Sequence, residues 1–391
     1  MCKQTKPVRR PFGRITTPLL ALPMALLLAV LLSQGDPACF MEPDRKFAYA
    51  AVWILDMWLF YKMLRTGKTD RYRAVLFIAF ALALSVTFIS RMFEARGAMT
   101  FNHADLLQCE VPFCHIVTTM ILIPAALSDS IIFPGRIEGG FADISSMLVI
   151  VFGALLIMGR GFCSWGCFYG GWDDAFSRLS KRKRWKNPPA SLRWGGFALL
   201  LLVAVTSASM LSPTYCDWIC PFKAVTEYEA VESVEAGLKA IIFISLFLVL
   251  VIVLPIVTQK RTQCAWFCPM GAFCSSTGKV LSPYQVRIRT DTCLKCGKCI
   301  RVCPMGALDK DSLETGKATM GCSLCGKCVD VCPNGSISYH VRYSGKANKP
   351  TLSRLLFLYS GFLFLAVFSG GSLQQFILLL LRGVARLTIQ S

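Results

Sequence analysis

Residues 293–304 read CLKCGKCIRVCP and residues 322–333 read CSLCGKCVDVCP. Both are Cys-x2-Cys-x2-Cys-x3-Cys-Pro runs. Three thiolates so closely spaced wrap three corners of one cubane iron–sulfur cluster, and the fourth, held out by the Pro turn, reaches the neighbouring cluster. The spacing therefore predicts one [4Fe–4S] cluster on Cys293, Cys296, Cys299 and Cys332 and a second on Cys322, Cys325, Cys328 and Cys303. Gly297 and Gly326 let the backbone pass close to sulfide, where its amides tune the potential. Zinc knuckles would need one four-ligand set per metal and do not call for two identical runs.

The composition around these runs is that of a membrane protein. Of 391 residues 54% are hydrophobic and only 17% charged, with a mean hydropathy of +0.52; soluble domains run near 25% charged. The net charge of +19 comes from 42 basic and 23 acidic residues. The basic residues lie in short clusters between apolar runs, as positive-inside loops do, which argues against nucleic-acid binding. Nineteen cysteines in a long apolar chain exclude a small secreted disulfide scaffold. Sixteen fall into spaced groups, leaving Cys2, Cys39 and Cys274, and three histidines leave little for haem or zinc chemistry.

Apolar runs long enough to cross a bilayer occur near 17–33, 47–64, 74–90, 141–158, 194–211, 238–257 and 355–368. The first follows Lys3, Lys6, Arg9, Arg10 and Arg14 like a signal peptide, but its exit, Gly35-Asp36-Pro37-Ala38-Cys39, carries neither a small-x-small site nor a lipoprotein box. It reads as a retained helix with its N-terminus in the cytoplasm. Lys62, Arg65, Lys68, Arg71 and Arg73 place the next loop inside, as do the eight Lys/Arg of 160–193 and the basic stretch 259–349; the acidic stretch 212–236 faces outward. This alternation requires an even number of crossings between Arg91 and Gly140. The apolar segment 111–133, interrupted by Pro124, Ser128 and Asp129, then reads as a re-entrant hairpin, with a plain span as the alternative. Asp56 is either a proton-handling carboxylate or a group near an interface or paired with a neighbour. The tail beyond Gly370-Gly371 is short for a further span and suits an amphipathic, interfacial segment.

Three more pairs share one pattern: Cys163-Ser-Trp-Gly-Cys167, Cys216-Asp-Trp-Ile-Cys220 and Cys264-Ala-Trp-Phe-Cys268. On a helix, i and i+4 point to one face, so each pair offers two thiolates in one direction. Cys109 and Cys114 form a looser fourth pair. The topology sorts them two by two. Cys163, Cys167, Cys264 and Cys268 are expected to hold an inner membrane cluster, and Cys109, Cys114, Cys216 and Cys220 an outer one. A rival at the outer site is haem, because Cys109-x4-Cys114-His115 is a stretched haem-attachment motif.

The segment 159–167 (Gly-Arg-Gly-Phe-Cys-Ser-Trp-Gly-Cys), the run Cys264 to Pro269 with Met270-Gly271-Ala272-Phe273, and the double cysteine run together resemble the membrane polyferredoxins typified by NapH, NosR and CcoG. The likeness covers roughly 141–340. It departs at Phe168, where the family has Pro after the first pair. There is no Ser/Thr-Gly-Ala-Thr flavin-attachment motif, so any flavin is expected on a partner. The resemblance implies transfer of electrons from quinol or cytoplasmic donors to periplasmic or metal-centre acceptors within a larger complex.

The expected fold is an α-helical multi-span membrane protein with a re-entrant segment, joined to a cytoplasmic bacterial-type two-[4Fe–4S] ferredoxin domain of α+β class. The expected divisions are a transmembrane domain at 1–258, the ferredoxin domain at 259–350, and a terminal helix with an amphipathic tail at 351–391. The expected cofactors are two to four [4Fe–4S] clusters, with a quinone left open, and the expected location is a prokaryotic cytoplasmic membrane. The 14 Lys/Arg against 5 acids in 259–349 suit an acidic soluble ferredoxin or flavodoxin donor, or else reflect the positive-inside bias together with compensation for thiolate charge. Other expected partners are membrane subunits of a redox complex, an extracytoplasmic haem or flavin protein, and lipid. An electron-transfer subunit is the leading function. A quinol dehydrogenase and a CcoG-like metal-reducing maturation factor are the alternatives.

Overall fold

The computed structural model describes residues 12–33, 38–96, 116, 144–180, 185, 189–210, 214–226, 233–342, 344 and 349–389. The described parts of the seven apolar runs lie on helices. Among the described residues four are long and apolar enough to cross a membrane: Pro43–Thr66, Ser191–Met210, Val234–Thr258 and Pro350–Gly383. A fifth is added if the bent pair Val151–Trp165 and Phe168–Leu179 counts as one span, and Thr16–Leu31 is a shorter apolar helix. The expected re-entrant segment 111–133 lies outside the described residues except for Ile116.

The chain divides into two compact units. The first comprises Met1–Thr87, Gly161–Ala175 and Pro283–Ser391. Its membrane-like part is a three-helix group. Helix Pro43–Thr66 starts with Pro at its first position and Asp44 in its first turn, and stops at Gly67 in the left-handed region (φ 76°). It runs antiparallel to Thr16–Leu31: Tyr49 donates to the Ala29 carbonyl at 2.7 Å and Trp53 to that of Ala25 at 3.1 Å. Helix Pro350–Ile389 runs parallel to Thr16–Leu31, with Tyr359 donating to the Leu20 carbonyl and Gln374 to that of Leu32 at 3.1 Å. Phe60 closes the triangle, its ring 5.4 Å from Tyr359 and 5.0 Å from Phe362. The last helix passes unbroken through Gly370-Gly371, where the sequence suggested an end to the span. A Cβ on Gly370 would stand 2.2 Å from Leu32 Cδ2, so here glycine lets two helices approach.

The rest of the first unit holds the double cysteine run. A two-stranded antiparallel sheet, β1 (Tyr284–Ile288) and β2 (Ile337–Val341), pairs Val286 with Tyr339 and closes the segment end to end. It seats on the last helix through Phe357, which stacks on Tyr339 at 4.5 Å and meets Tyr284 at 5.3 Å and Trp165 at 5.4 Å, both edge-on.

The second unit comprises Phe88–Arg160 and Phe176–Ser282. Helix Ile144–Met158 ends where Gly159 meets Gly278 of helix Pro269–Leu281; a Cβ on Gly159 would lie 2.7 Å from the Gly278 Cα. Span Val234–Thr258 contains a π-helical stretch, Phe247–Val253. There the Leu254 N–H bonds back to Val249, and Pro255 has no N–H to offer the Leu250 carbonyl. Thr262 supplies the missing donor at 2.8 Å. This bond requires the chain to double back after Gln259 (φ 54°), so that Thr262 lies alongside a helix position eight residues, about 12 Å, before Thr258.

Candidate metal centres

The two cysteine runs share one backbone recipe. Left-handed φ recurs at Lys295 and Leu324, at Gly297 and Gly326, and at Gly306 and Gly335, each pair 29 positions apart. After the left-handed glycine of each run comes a one-turn helix, Lys298–Val302 or Lys327–Val331. Alternating right- and left-handed residues turn successive N–H groups to one side, making a concavity that favours negative charge. The fourth cysteine of each run, Cys303 or Cys332, is extended and followed by Pro, which carries its thiol away from the other three.

Two cavities result. One is lined by Cys293, Cys296, Cys299 and Cys332; the other by Cys303, Cys322, Cys325 and Cys328. These are the crosswise quartets that the spacing predicts. Among the described residues no three of His, Cys, Asp or Glu stand close enough to hold one metal ion, so each quartet surrounds a volume rather than a point. Burial pushes the Cys325 thiol up to about 11, with the Asp70 carboxylate adding to the rise and Arg73 opposing it. Cys328 is raised well above an ordinary thiol by burial first, then by Cys322, Cys325, Cys303 and Cys299. Cys299 is raised by burial, against hydrogen bonds from backbone N–H groups. Thiols that resist ionising alone are ionised outright by a bound cation. Four of them around a cavity, with the Ala307 N–H donating to Cys303 Sγ at 3.3 Å, fit a [4Fe–4S] cluster.

The second run is built into the unit. Ser323 receives a hydrogen bond from Ser164 (2.8 Å), and the Leu324 carbonyl accepts from both Trp165 (3.1 Å) and Tyr339 (3.2 Å). The loop between Cys163 and Cys167 is therefore bonded to the loop between Cys322 and Cys325, through wholly buried Ser164 and Trp165. Beneath it Arg73, also wholly buried, reaches Asp70 and Asp174 at 2.9 Å each and the Ser164 carbonyl at 2.8 Å. Asp330 accepts the N–H groups of Thr69 (2.9 Å) and Asp70 (2.8 Å); burial raises its carboxyl to about 6.

In the second unit the Cys264–Cys268 loop is fixed by arginines. Arg160 donates to Ser275 (2.6 Å) and to the Cys264 carbonyl (3.0 Å), and Arg261 lies 3.4 Å from Cys264 Sγ. Cys268 is the N-cap of helix Pro269–Leu281, its thiol accepting from the Gly271 N–H at 3.4 Å with Pro269 at the first helical position. That gives the Cys-Pro pattern a structural meaning. In the first unit Phe168 takes the equivalent position of helix Phe168–Leu179 without proline.

Cys216 and Cys220, which the topology sets on the opposite face from Cys264 and Cys268, share with Cys268 the neighbourhood of buried Tyr215 in this unit. Gln263 donates to the Tyr215 hydroxyl at 3.0 Å. Tyr215 is pushed well above an ordinary phenol by burial, then by Cys220, Cys268 and Cys216. Cys109 and Cys114 lie outside the described residues. Asp56 is wholly buried, with neither carboxylate oxygen hydrogen-bonded among the described residues. Sequence reasoning gave no role to Arg73 and Arg261, counted there only as loop charges, or to Ser323. Arg160 and Ser164 left a signal only as members of the segment 159–167, and Trp165 also as the shared middle residue of the three CxxxC pairs.

Comparison with known proteins agrees with this geometry. The 4Fe-4S dicluster domain matches residues 285–333, and the 4Fe-4S binding domain matches 140–187, 192–230 and 241–283, each stretch carrying one CxxxC pair. A protein of Escherichia coli, provisionally named the electron transport protein YccM, is 25% identical over 182 residues, 44% of this chain and 48% of its own length. The methylamine utilization ferredoxin-type protein MauN of Methylobacillus flagellatus is 25% identical over 44% of this chain and 58% of its own. An uncharacterised protein of Methanocaldococcus jannaschii is 25% identical over 43% and 68%. The chain thus spans about half the length of YccM. No solved structure matches it. By its matched domains the chain is an iron–sulfur protein of ferredoxin type.

Proposed function

We propose that this chain is a membrane-embedded electron-transfer subunit of the polyferredoxin kind typified by NapH and NosR, carrying electrons between a cytoplasmic donor and an acceptor in or beyond the membrane. The observation that carries the reading is the buried seam Ser164–Ser323 and Trp165–Leu324. It sets a CxxxC pair directly beside the second ferredoxin-type cavity through buried side chains. Bound [4Fe–4S] clusters supply one-electron chemistry at the two cavities. The residues around them hold the thiolates, exclude water through Trp165, Tyr339 and Phe357, and fix the local charge through Arg73. We assign further clusters to the CxxxC pairs of the membrane part.

Membrane insertion is supported by apolar side chains that stand exposed among the described residues. Leu201 is 68% exposed and Ile241 64% exposed on candidate spans, a surface that lipid would cover. Sidedness is supported by the parallel course of helices Thr16–Leu31 and Pro350–Ile389. Parallel helices begin on one side, so the basic N-terminal stretch and the ferredoxin-type segment share it, the cytoplasmic side by the positive-inside rule.

The test is iron and acid-labile sulfide per chain after anaerobic purification, with paramagnetic resonance spectra of the reduced protein. The two cavities alone account for about eight irons, and each cluster on the CxxxC pairs adds about four. Cys299→Ser and Cys328→Ser are each expected to remove about four. Iron and sulfide near zero in the wild type, or metal that proves to be zinc, refutes the proposal.

A further inference from the structure

The duplicated runs share a backbone, so each is an internal control for what the other faces. Leu294 is 54% exposed, whereas its counterpart Ser323 is 1% exposed. Lys295 is exposed, whereas its counterpart Leu324 is 5% exposed. A Cβ on Gly326 would meet Tyr339 at 2.6 Å and Thr69 at 3.0 Å, but on Gly297 it would meet only Arg301 at 4.0 Å. Exposed Arg301 is matched by Asp330, which is engaged with Thr69 and Asp70. Of the four substitutions between the copies, three have the same sense, and the fourth, Ile300 for Val329, is half-buried in both. The second run is committed to the body of the unit, and the first presents one exposed leucine rimmed by Lys295, Lys298 and Arg301. From 289 to 301 four basic residues stand against Asp291 alone.

We infer that the face around Leu294, Lys295, Lys298 and Arg301, over the Cys293/Cys296/Cys299/Cys332 cavity, is the docking site of a soluble, acidic electron-carrier protein, and that the Cys303/Cys322/Cys325/Cys328 cavity is the internal station. A small apolar contact ringed by one sign of charge suits a transient partner of the opposite sign, found quickly and released quickly. A single electron crosses this face, so that the carrier and the cluster that Cys293, Cys296, Cys299 and Cys332 would hold change oxidation state by one in opposite senses; no bond forms or breaks. The inference rests on the electron-transfer reading above and adds which of the two otherwise equivalent sites meets the carrier.

The full chain, purified in detergent and loaded with iron, is titrated by calorimetry with an acidic plant-type [2Fe–2S] ferredoxin at low and moderate salt. The double variant Lys295→Glu/Lys298→Glu is expected to weaken binding about tenfold or more and to flatten its salt dependence. Lys310→Glu, an exposed charge on the same segment, is expected to stay within about twofold. Equal effects from both variants, none from the double variant, or no binding by the wild type overturns the assignment. Carbodiimide crosslinking of the unmutated chain gives a second reading that does not depend on a variant's folding. Crosslinks at Lys295 or Lys298 support the port, and crosslinks confined to Lys310, Lys317 or Lys327 overturn it. Iron content of the same preparations separates the failures. Low wild-type iron sinks the electron-transfer reading, whereas full iron with crosslinks elsewhere sinks the port alone.

Discussion

Replacing Arg73 by methionine removes a cation that bridges Asp70 and Asp174, while preserving most of the side chain's volume. In the wild type its guanidinium makes three short bonds, to Asp70 (2.9 Å), Asp174 (2.9 Å) and the Ser164 carbonyl (2.8 Å), and sits 5.2 Å over the Phe77 ring. Arg73 and Asp174 are wholly buried and Asp70 nearly so. Charge-assisted bonds contribute about 1.5–3 kcal/mol each, but they share one cation and do not add. Breaking a buried pair by removing one partner costs about 3–5 kcal/mol, and here the guanidinium serves two buried carboxylates. Arg73→Met is therefore expected to destabilise the first unit by about 3–5 kcal/mol. It should also speed iron release to a chelator, because the Ser164 carbonyl loses its anchor next to the Cys322–Cys325 loop. Unfolding followed by tryptophan fluorescence in detergent, with Trp165 as an internal reporter, reads the first quantity; chelator kinetics read the second. Adding Asp70→Asn and Asp174→Asn to Arg73→Met should recover much of the loss. A shift below about 1 kcal/mol with unchanged iron release would refute the reasoning, since that is what a solvated surface pair gives.

Gly297→Ala should cost only the strain of a left-handed alanine, about 1–2 kcal/mol, while Gly326→Ala adds a clash with Tyr339 and Thr69 worth about 1–3 kcal/mol more; paired unfolding curves compare them. Gly370→Val should loosen the docking of the last helix on Leu32 and lower resistance to detergent unfolding, whereas Gly383→Val, with nothing within 4 Å, should not. His340 is pushed below an ordinary histidine by burial and then by Arg287. As pH falls the unfolded chain binds this proton first, so the residue lowers stability on acidification. Labelled-histidine resonances, from three histidines in all, should show one titrating below 6.5 and moving up in Arg287→Gln.

Local chemistry was readable, and long-range pairing was not. The cysteine spacing carries the crosswise grouping because the reach of a Pro-terminated run is set by covalent geometry within a dozen residues. Helices were equally visible, since apolar runs leave no other way to satisfy the backbone. Charge counting failed wherever a charge is buried. Arg73 and Arg261 were read as solvated loop residues, yet both are wholly enclosed, and only tertiary partners far along the chain make that enclosure tolerable. The fold-back of 259–268 was hidden for the same reason, because Pro255 creates the vacancy and Thr262 fills it. Gly370-Gly371 misled in the opposite direction: a glycine pair suggests a break by propensity, but Leu32, more than three hundred residues earlier, turns it into a packing surface.

The three-helix group of the first unit has a consequence for how the protein is made. Its first two members, Thr16–Leu31 and Pro43–Thr66, leave the ribosome early, and the third begins at Pro350. At about 5–20 residues per second, the intervening synthesis lasts on the order of 15–60 s. For that interval Tyr49 and Trp53 can already grip the first helix, but the Leu20 and Leu32 carbonyls wait for Tyr359 and Gln374. The cysteine runs are translated just before the helix whose Phe357 stacks on Tyr339 and Trp165. Both cysteine runs are thus complete in sequence while the helix that seats Tyr339 and Trp165 is still unmade, so the second run is translated before the packing behind it exists.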